Sequence, residues 1–431
     1  MVLNHEPKRH KGLTPMTIKH FLTLSILLSS LSASALAKGR YAKAELSELP
    51  QVIAWAEEDA SRYWIQGEDS VFFADASSKL GPAPFNAGKW SKLKDGLFFY
   101  FGAHELPAGS KELLRGGRVR LISSKTTFIP ERDSHHRSLR PIIKNTALVE
   151  TRAVKRDSPA QNSPFTLSQW IDAERWHADV EKLASWNRYS YATDNSLAKD
   201  WLVEELSALP GFDVKEFPFT MPRGTGYNVL GQITGKSRPD DIYIVGAHYD
   251  STSEKPSTLA PGAEDNATGT AGMLAIARVF AEHPPEATII FVGFSGEEQG
   301  LYGSEAWTEQ WLESGKEKSI KAALIMDMIG YSGDSELDLL LETSRLTQPL
   351  LADIDTVHND PDLVVSQSFN YWGSDHEPFL DNGIPAILFI ENDYLNYPSY
   401  HRSTDTVDKI HPELGPKVLR LMTDSLALWV Y

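Results

Sequence analysis

Along Ala287-Thr288-Ile289-Ile290-Phe291-Val292-Gly293-Phe294 the chain carries no charge, and β-branched and aromatic residues dominate. The alternation of apolar and polar residues that marks a strand with one wet face is missing. Such a run reads as a strand covered on both faces. Three further segments read as buried strands too: Asp241 to Ala247, apolar after its first residue, Ala322 to Met326 and Ile384 to Ile390. Helical stretches lie between and around them. Gly269 to Glu282 is a helix of small and apolar residues, Leu197 to Leu209 is amphipathic and ended by Pro210-Gly211, and Glu413 to Val430 closes the chain. Buried strands separated by helices predict an α/β fold, a mostly parallel mixed sheet with helices on both faces.

The polar residues that interrupt this pattern fall where the strands end, and in open α/β sheets ligands bind at the carboxyl ends of the strands. The first strand runs into His248-Tyr249-Asp250-Ser251. The loop before the small-residue helix is Pro261-Gly262-Ala263-Glu264-Asp265-Asn266-Ala267-Thr268-Gly269. The second strand ends in Ser295-Gly296-Glu297-Glu298-Gln299-Gly300 and the third in Asp327-Met328-Ile329-Gly330. A loop after the fourth delivers Tyr400-His401-Arg402-Ser403-Thr404-Asp405-Thr406. Taken singly, each is an ordinary cap or turn: Asp265-Asn266 suffices as a helix cap, and Glu297-Glu298 as a solvated turn. Together they crowd acids on one edge, where they repel unless a cation neutralises them. The sequence has no cysteine. That excludes disulfides, thiolate metal sites and a catalytic thiol, and leaves His, Asp and Glu to hold any metal. Oxygen and imidazole donors suit two zinc ions.

Charge and the N-terminus bound the rest. Lys and Arg number 42 against 58 Asp and Glu, a net charge of −16, which argues against a nucleic-acid or anionic-membrane partner. The basic stretch Met16-Thr17-Ile18-Lys19-His20, the apolar run Phe21 to Leu31 and Ala35-Leu36-Ala37 follow the order of a secretory signal peptide. Residues 1–37 are therefore expected to direct export to the periplasm or the medium, with Met16 as an alternative start. No later segment suits a transmembrane helix, so no stable membrane insertion is expected. Residues 38–163 are aromatic-rich and chemically quiet, a smaller α+β region. Within it Asp95 to Gly102 and Gly117 to Ile122 read as strands and Glu45 to Trp64 as a helix. His135-His136, with no acids around it, reads as a surface pair. Arg152 to Pro164 is a charged, then Ser/Pro-rich linker whose Lys155-Arg156 pair is either a processing site or plain solvated chain. Residues 164–431 hold the chemistry.

The motifs HYDS, PGAEDNATGTAG, FSGEEQGLYGS, MDMIG and YHRSTDT, in this order, resemble those of the secreted di-zinc aminopeptidases of the bacterial leucyl aminopeptidase type. That zinc-peptidase superfamily also includes the glutaminyl cyclases. The resemblance runs from about Leu183 to the C-terminus. It implies that Asp265 bridges two zinc ions, with His248 and Asp327 completing one ligand set and Glu298 and His401 the other. It implies Glu297 as the general base and Asp250 as the partner that holds His248 in its ligating tautomer. Tyr371 matches a tyrosine that stabilises the oxyanion, or else packs beside Trp372. Two cysteines flank that tyrosine in the type enzymes; Phe369 and Gly373 stand there instead, which puts the loop's rigidity in question. Asp375-His376 either joins the site or orients this loop. Met328, Leu388, Ile390 and Tyr394 fall where the family lines an apolar pocket, which implies a preference for large hydrophobic N-terminal residues; ordinary core is the equal alternative. The N-terminal region resembles the removable or accessory pro-segments of such enzymes.

The resemblance thus implies an exported metalloaminopeptidase that hydrolyses the N-terminal bond of peptide substrates; the oligomeric state is not legible. Its nearest rival is a single-zinc glutaminyl cyclase, whose sequences share an acid pair and a segment like Asp375-His376-Glu377-Pro378-Phe379. A carboxypeptidase would need a basic group for the substrate's C-terminus, and Arg402 is the nearby candidate. A non-catalytic ectodomain predicts lost ligands, and every ligand position is filled.

Overall fold

The computed structural model describes residues 39–77, 87–103, 105–127, 137–152 and 166–431. The expected signal peptide, His135-His136 and Lys155-Arg156 lie outside the described residues.

The N-terminal region supplies β1 (Arg40–Glu45), β2 (Arg62–Gln66), β3 (Ser70–Asp75), β4 (Ser91–Lys92), β5 (Gly96–Phe101), β6 (Lys111–Gly116), β7 (Val119–Ser124), β8 (Ser138–Pro141) and β9 (Thr146–Ala147). These form a five-stranded sheet, β4-β1-β3-β2-β9, and a four-stranded sheet, β6-β7-β5-β8. The two strands expected here appear as β5 and β7. The expected helix is shorter than Glu45 to Trp64: it spans Leu49–Glu57, with Pro50 in its first turn. A turn ends it, in which Asp59 Oδ1 accepts the Ser61 N–H at 2.8 Å. Beyond the turn Tyr63 and Ile65 alternate inward, so Trp64 belongs to β2.

The chain then contributes β10 (Glu150–Arg152), followed in the large unit by β11 (Phe212–Met221), β12 (Gly224–Ile233), β13 (Arg238–His248), β14 (Ala287–Phe294), β15 (Ile320–Met326), β16 (Leu337–Thr343), β17 (Leu363–Ser368) and β18 (Ala386–Glu391). They form one mixed sheet in the order β10-β17-β16-β18-β15-β13-β14-β12-β11. Its centre, β18-β15-β13-β14, is parallel, and antiparallel pairs flank it. The strand β10, leaving the N-terminal region, adds to one edge of this sheet, where the Arg152 guanidinium meets the Asp355 carboxylate.

Strand β14 explains why the sequence lacks alternation. Ile289 and Phe291 enter one core with Trp176, Leu274, Phe280 and Leu419 from three helices. Ile290, Val292 and Phe294 enter a second core on the opposite face with Trp307 and Phe379. Both faces are apolar because both are covered, each large buried side chain contributing about 1.5–3 kcal/mol. Helices Ala173–Ala184, Gly269–Glu282 and Leu414–Val430 lie on the first face, and Tyr302–Glu313 and Glu377–Asp381 on the second. Among the described residues no helix is long and apolar enough to cross a membrane.

Candidate metal centre

Because β13, β14 and β15 are parallel, their carboxyl ends share one edge. His248 is the last residue of β13, Asp327 follows β15, and Glu297 and Glu298 lie in the loop after β14. Asp265 comes from the irregular turn Ala263–Thr268, in which the Asp265–Asn266 peptide is cis. Buried hydrogen bonds shape this turn. The Asp405 carboxylate accepts the N–H groups of Glu264 and Asp265 at 2.9 and 3.1 Å. The Asn266 amide donates to the Met326 carbonyl at 2.9 Å, and the Trp176 indole to the Thr268 carbonyl at 3.0 Å. The fully buried Arg188 donates to the carbonyls of Leu183, Tyr249, Pro261 and Gly262 at 2.6–2.8 Å. Gly262 sits at φ +52°, where a Cβ would lie 2.3 Å from the Asp265 carbonyl oxygen, so only glycine fits.

The result is a closed constellation. The two oxygens of Asp265 face different histidines: Oδ1 lies 3.3 Å from His248 Nε2, and Oδ2 lies 3.2 Å from His401 Nε2. Asp327 Oδ1 is 3.3 Å from His248 Nε2, and Glu298 Oε2 is 3.1 Å from His401 Nε2. Glu297 Oε2 stands 4.0 Å from His248 Nε2. Donor atoms of His248, Glu297 and Asp327, and again of His248, Asp265 and Glu298, lie within 4.8 Å of one another. All five metal-ligating candidates and Glu297 are thus brought together.

The electrostatics ask for positive charge. Burial, reinforced by Asp265, pushes the Glu298 carboxyl up to about 8. Burial also opposes charge on the histidines, yet the carboxylates outweigh it, lifting His401 to about 10 and His248 well above its ordinary value. Against its own burial, Asp265 is held low by both histidines. Divalent cations answer such a cluster without protonation. The next layer of partners fits that use. His248 Nδ1 lies 3.1 Å from the Asp250 carbonyl oxygen, an acceptor only, so Nδ1 carries the proton and Nε2 is left for a metal. The tautomer is thus fixed by the Asp250 backbone, its carboxylate Oδ1 standing farther off at 3.7 Å. The Ser374 hydroxyl donates to Asp327 Oδ2 at 2.7 Å, leaving Oδ1 to the cluster. Imidazole and carboxylate donors with these partners suit zinc.

A cavity beside the cluster is lined by Met328, Ile390 and Tyr394 with Tyr400, Gly373 and Arg118. Leu388 lies on the same face of β18 as Ile390 but one layer deeper, in the core with Ile244 and Phe294 rather than in the cavity lining. The Tyr371 hydroxyl is turned to Asp381, to which it donates at 2.9 Å; burial and that carboxylate push its pKa up to about 12, and Tyr371 is not among the lining residues. Asp375 and His376 are fully buried; His376 Nε2 stands 3.4 Å from Glu342 on the loop's supporting side, whereas burial and the charge of Glu297 hold the Asp375 carboxyl well above its ordinary value. Sequence reasoning missed Arg188, Ser374 and Arg118. The basic residue in LASWNR was the one available signal for Arg188; nothing local marks Arg118.

A mixed sheet with a buried His/Asp/Glu cluster at the ends of its parallel strands provides the arrangement of a metal centre. Residues 228–425 match the sequence profile of peptidase family M28. A probable aminopeptidase of Saccharomyces cerevisiae is 26% identical over 333 residues, spanning 71% of this chain and 84% of its own length. The LapA aminopeptidase of Legionella pneumophila, 19% identical, shares the fold with a TM-score of 0.55 over 78% of this chain and 98% of its own. A glutaminyl cyclase from an Acidobacteriales bacterium, 21% identical, shares it with a TM-score of 0.52 over 63% and 98%.

Proposed function

We propose that this protein is an exported di-zinc aminopeptidase that removes the N-terminal residue of peptides. Its class, a metalloaminopeptidase, rests on the family match and the aminopeptidase relatives. The two-ion reading is carried by one observation: a single carboxylate, Asp265, is shared between His248 and His401. His248, Asp327 and Asp265 would hold one zinc, and Glu298, His401 and Asp265 the other. Zinc bound there supplies a Lewis acid for the scissile carbonyl and acidifies the attacking water.

The chain's own residues do the rest. Glu297 lines the cavity and takes the proton of the water as its oxygen bonds to the carbonyl carbon. As the C–N bond breaks, Glu297 returns that proton to the leaving amine. Tyr371 is given no step, because its hydroxyl is committed to Asp381. Met328, Ile390 and Tyr394 support a side-chain pocket that favours hydrophobic N-terminal residues. Export rests on the signal-peptide pattern of residues 1–37.

The test is zinc analysis of the purified chain beside hydrolysis of leucyl-anilide, with and without chelator. Two zinc ions per chain and hydrolysis that chelator abolishes and zinc restores are expected. One zinc per chain with cyclisation of N-terminal glutamine moves the protein to the cyclases.

A further inference from the structure

The loop from Phe369 to Asp375 contains no cysteine. Three consecutive carbonyls of this loop receive guanidinium groups from the N-terminal region. Arg140 Nη1 donates to the Tyr371 carbonyl at 3.1 Å. Arg118 donates from Nη1 to the Trp372 carbonyl at 2.9 Å and from Nη2 to the Gly373 carbonyl at 3.2 Å. Arg118 Nη1 also reaches Glu342 Oε1 at 2.9 Å, and that same oxygen accepts the Trp372 N–H at 2.9 Å. The Gly373 N–H donates to Glu377 Oε2 at 2.6 Å, while Glu377 Oε1 pairs with Arg140 Nη2 at 3.5 Å. The Trp372 side chain is buried in the N-terminal core, its ring 6.0 Å from that of Phe101. The next residue is Ser374, whose hydroxyl holds Asp327 Oδ2.

We infer that the N-terminal region is a permanent positioning element of the metal centre. Arg118, aided by Arg140, fixes the backbone of residues 371–373 so that Ser374 turns Asp327 Oδ1 toward His248. In a chain without cysteine, hydrogen bonds from a separate sheet hold this loop where no disulfide can. Arg118 and Glu342 are 3% and 0% exposed, so neither charge is tolerated without the other. The planar fork of Arg118 serves two carbonyls and a carboxylate at once, which an ammonium group does not reproduce. The inference rests on the ligand role proposed above for Asp327. It is the opposite of a removable plug, whose loss would raise activity.

The experiment uses the full chain with Arg118→Met, Arg118→Lys, Ser374→Ala and the Arg118→Met/Ser374→Ala double variant. Zinc retention is measured against a competing chelator, and kcat and KM with leucyl-anilide. Arg118→Met is expected to weaken one of two zinc ions about 10–100-fold, as loss of a ligand's hydrogen-bonding partner does. Its kcat falls on the same order, with KM within about threefold, and lysine restores little. Ser374→Ala gives the same signature, and the double variant is no worse than Ser374→Ala alone, because the two residues act in series. Hydrogen exchange accelerates at the Trp372 and Gly373 amides while β14 stays protected. Wild-type zinc retention in Arg118→Met, or additive losses in the double variant, overturns the inference. If Arg118→Met does not fold, the half-buried Arg140→Met carries the test. It should show faster loop exchange and weaker zinc retention, and wild-type behaviour overturns the clamp. A wild-type chain that binds no zinc overturns the proposed function and the clamp with it; two zinc ions beside an indifferent Arg118→Met overturn the clamp alone.

Discussion

The backbone N–H of Glu297 donates to the Asp250 carboxylate, 3.3 Å from Oδ1. The other oxygen of Asp250 accepts the Ser190 hydroxyl at 2.6 Å, and its carbonyl accepts from His248 Nδ1. One fully buried aspartate therefore fixes both the proposed base and a proposed ligand. The strand-end geometry makes this economical, since Asp250 follows β13 and Glu297 follows the neighbouring β14.

Glu297→Gln keeps the side-chain volume and both ligand sets but cannot carry a proton. It is expected to retain two zinc ions and lose about 10²–10⁴-fold in kcat, the span of general-base catalysis. Zinc content and single-turnover rates check this together. Near-normal kcat removes Glu297 from the mechanism.

Asp250→Ala strips the anchor from the Glu297 amide and leaves the Ser190 hydroxyl without its acceptor. Because His248 bonds to the Asp250 backbone, its tautomer survives the change. We expect a loss of about 10–100-fold in zinc affinity or turnover, and about 1–3 kcal/mol in stability from unsatisfied buried groups. Chelator competition and urea unfolding measure the two effects separately. A zinc affinity and kcat equal to wild type would show that the carboxylate supports nothing at the site.

Asp265→Ala and His401→Ala differ in zinc stoichiometry. Asp265 faces both histidines, so its removal is expected to bring zinc toward zero per chain. His401 faces Glu298 and the Oδ2 oxygen of Asp265, while Oδ1 stays with His248, so removal of His401 leaves one ion held by the His248 set. Metal analysis after gel filtration distinguishes them. Equal stoichiometry in the two variants would contradict a shared carboxylate.

Four candidate site residues were legible because each lies at or just past the end of an apolar strand, and parallel strands bring such positions to one edge. His248, Glu297, Glu298 and Asp327 are of this kind. Orientation was harder. Tyr371 matches a motif, yet its hydroxyl direction depends on Asp381, and Arg140 holds its carbonyl. Leu388 and Ile390 share a face of β18 by strand period, and only depth along the strand decides which one meets the cavity. The extra length given to the helix before Trp64 reflects a turn that pattern reading passed over, since Asp59 stops the helix through its own side chain. Arg118 was invisible for a different reason. It reaches Trp372 across 254 residues from a region without motifs, and no local pattern encodes a contact of that range.

Asp338 makes a pH prediction away from the metal centre. It lies in β16, buried, with Oδ1 lacking a hydrogen-bond partner. Burial, with the charge of Asp393 added, pushes its carboxyl up to about 7 from an ordinary value of 3.8. In the unfolded chain the proton leaves near that ordinary value, while the folded chain holds it to about pH 7. Between the two, the unfolded state binds fewer protons, so stability falls as pH rises through this window and levels off above it. Asp338→Asn removes the titration. Its gain over wild type is expected to grow across the window and reach on the order of 1–3 kcal/mol at pH 8, with a smaller gain at pH 5. Urea unfolding at the two pH values reads the difference directly, and an equal gain at both would show that Asp338 ionises alike in the folded and unfolded chains.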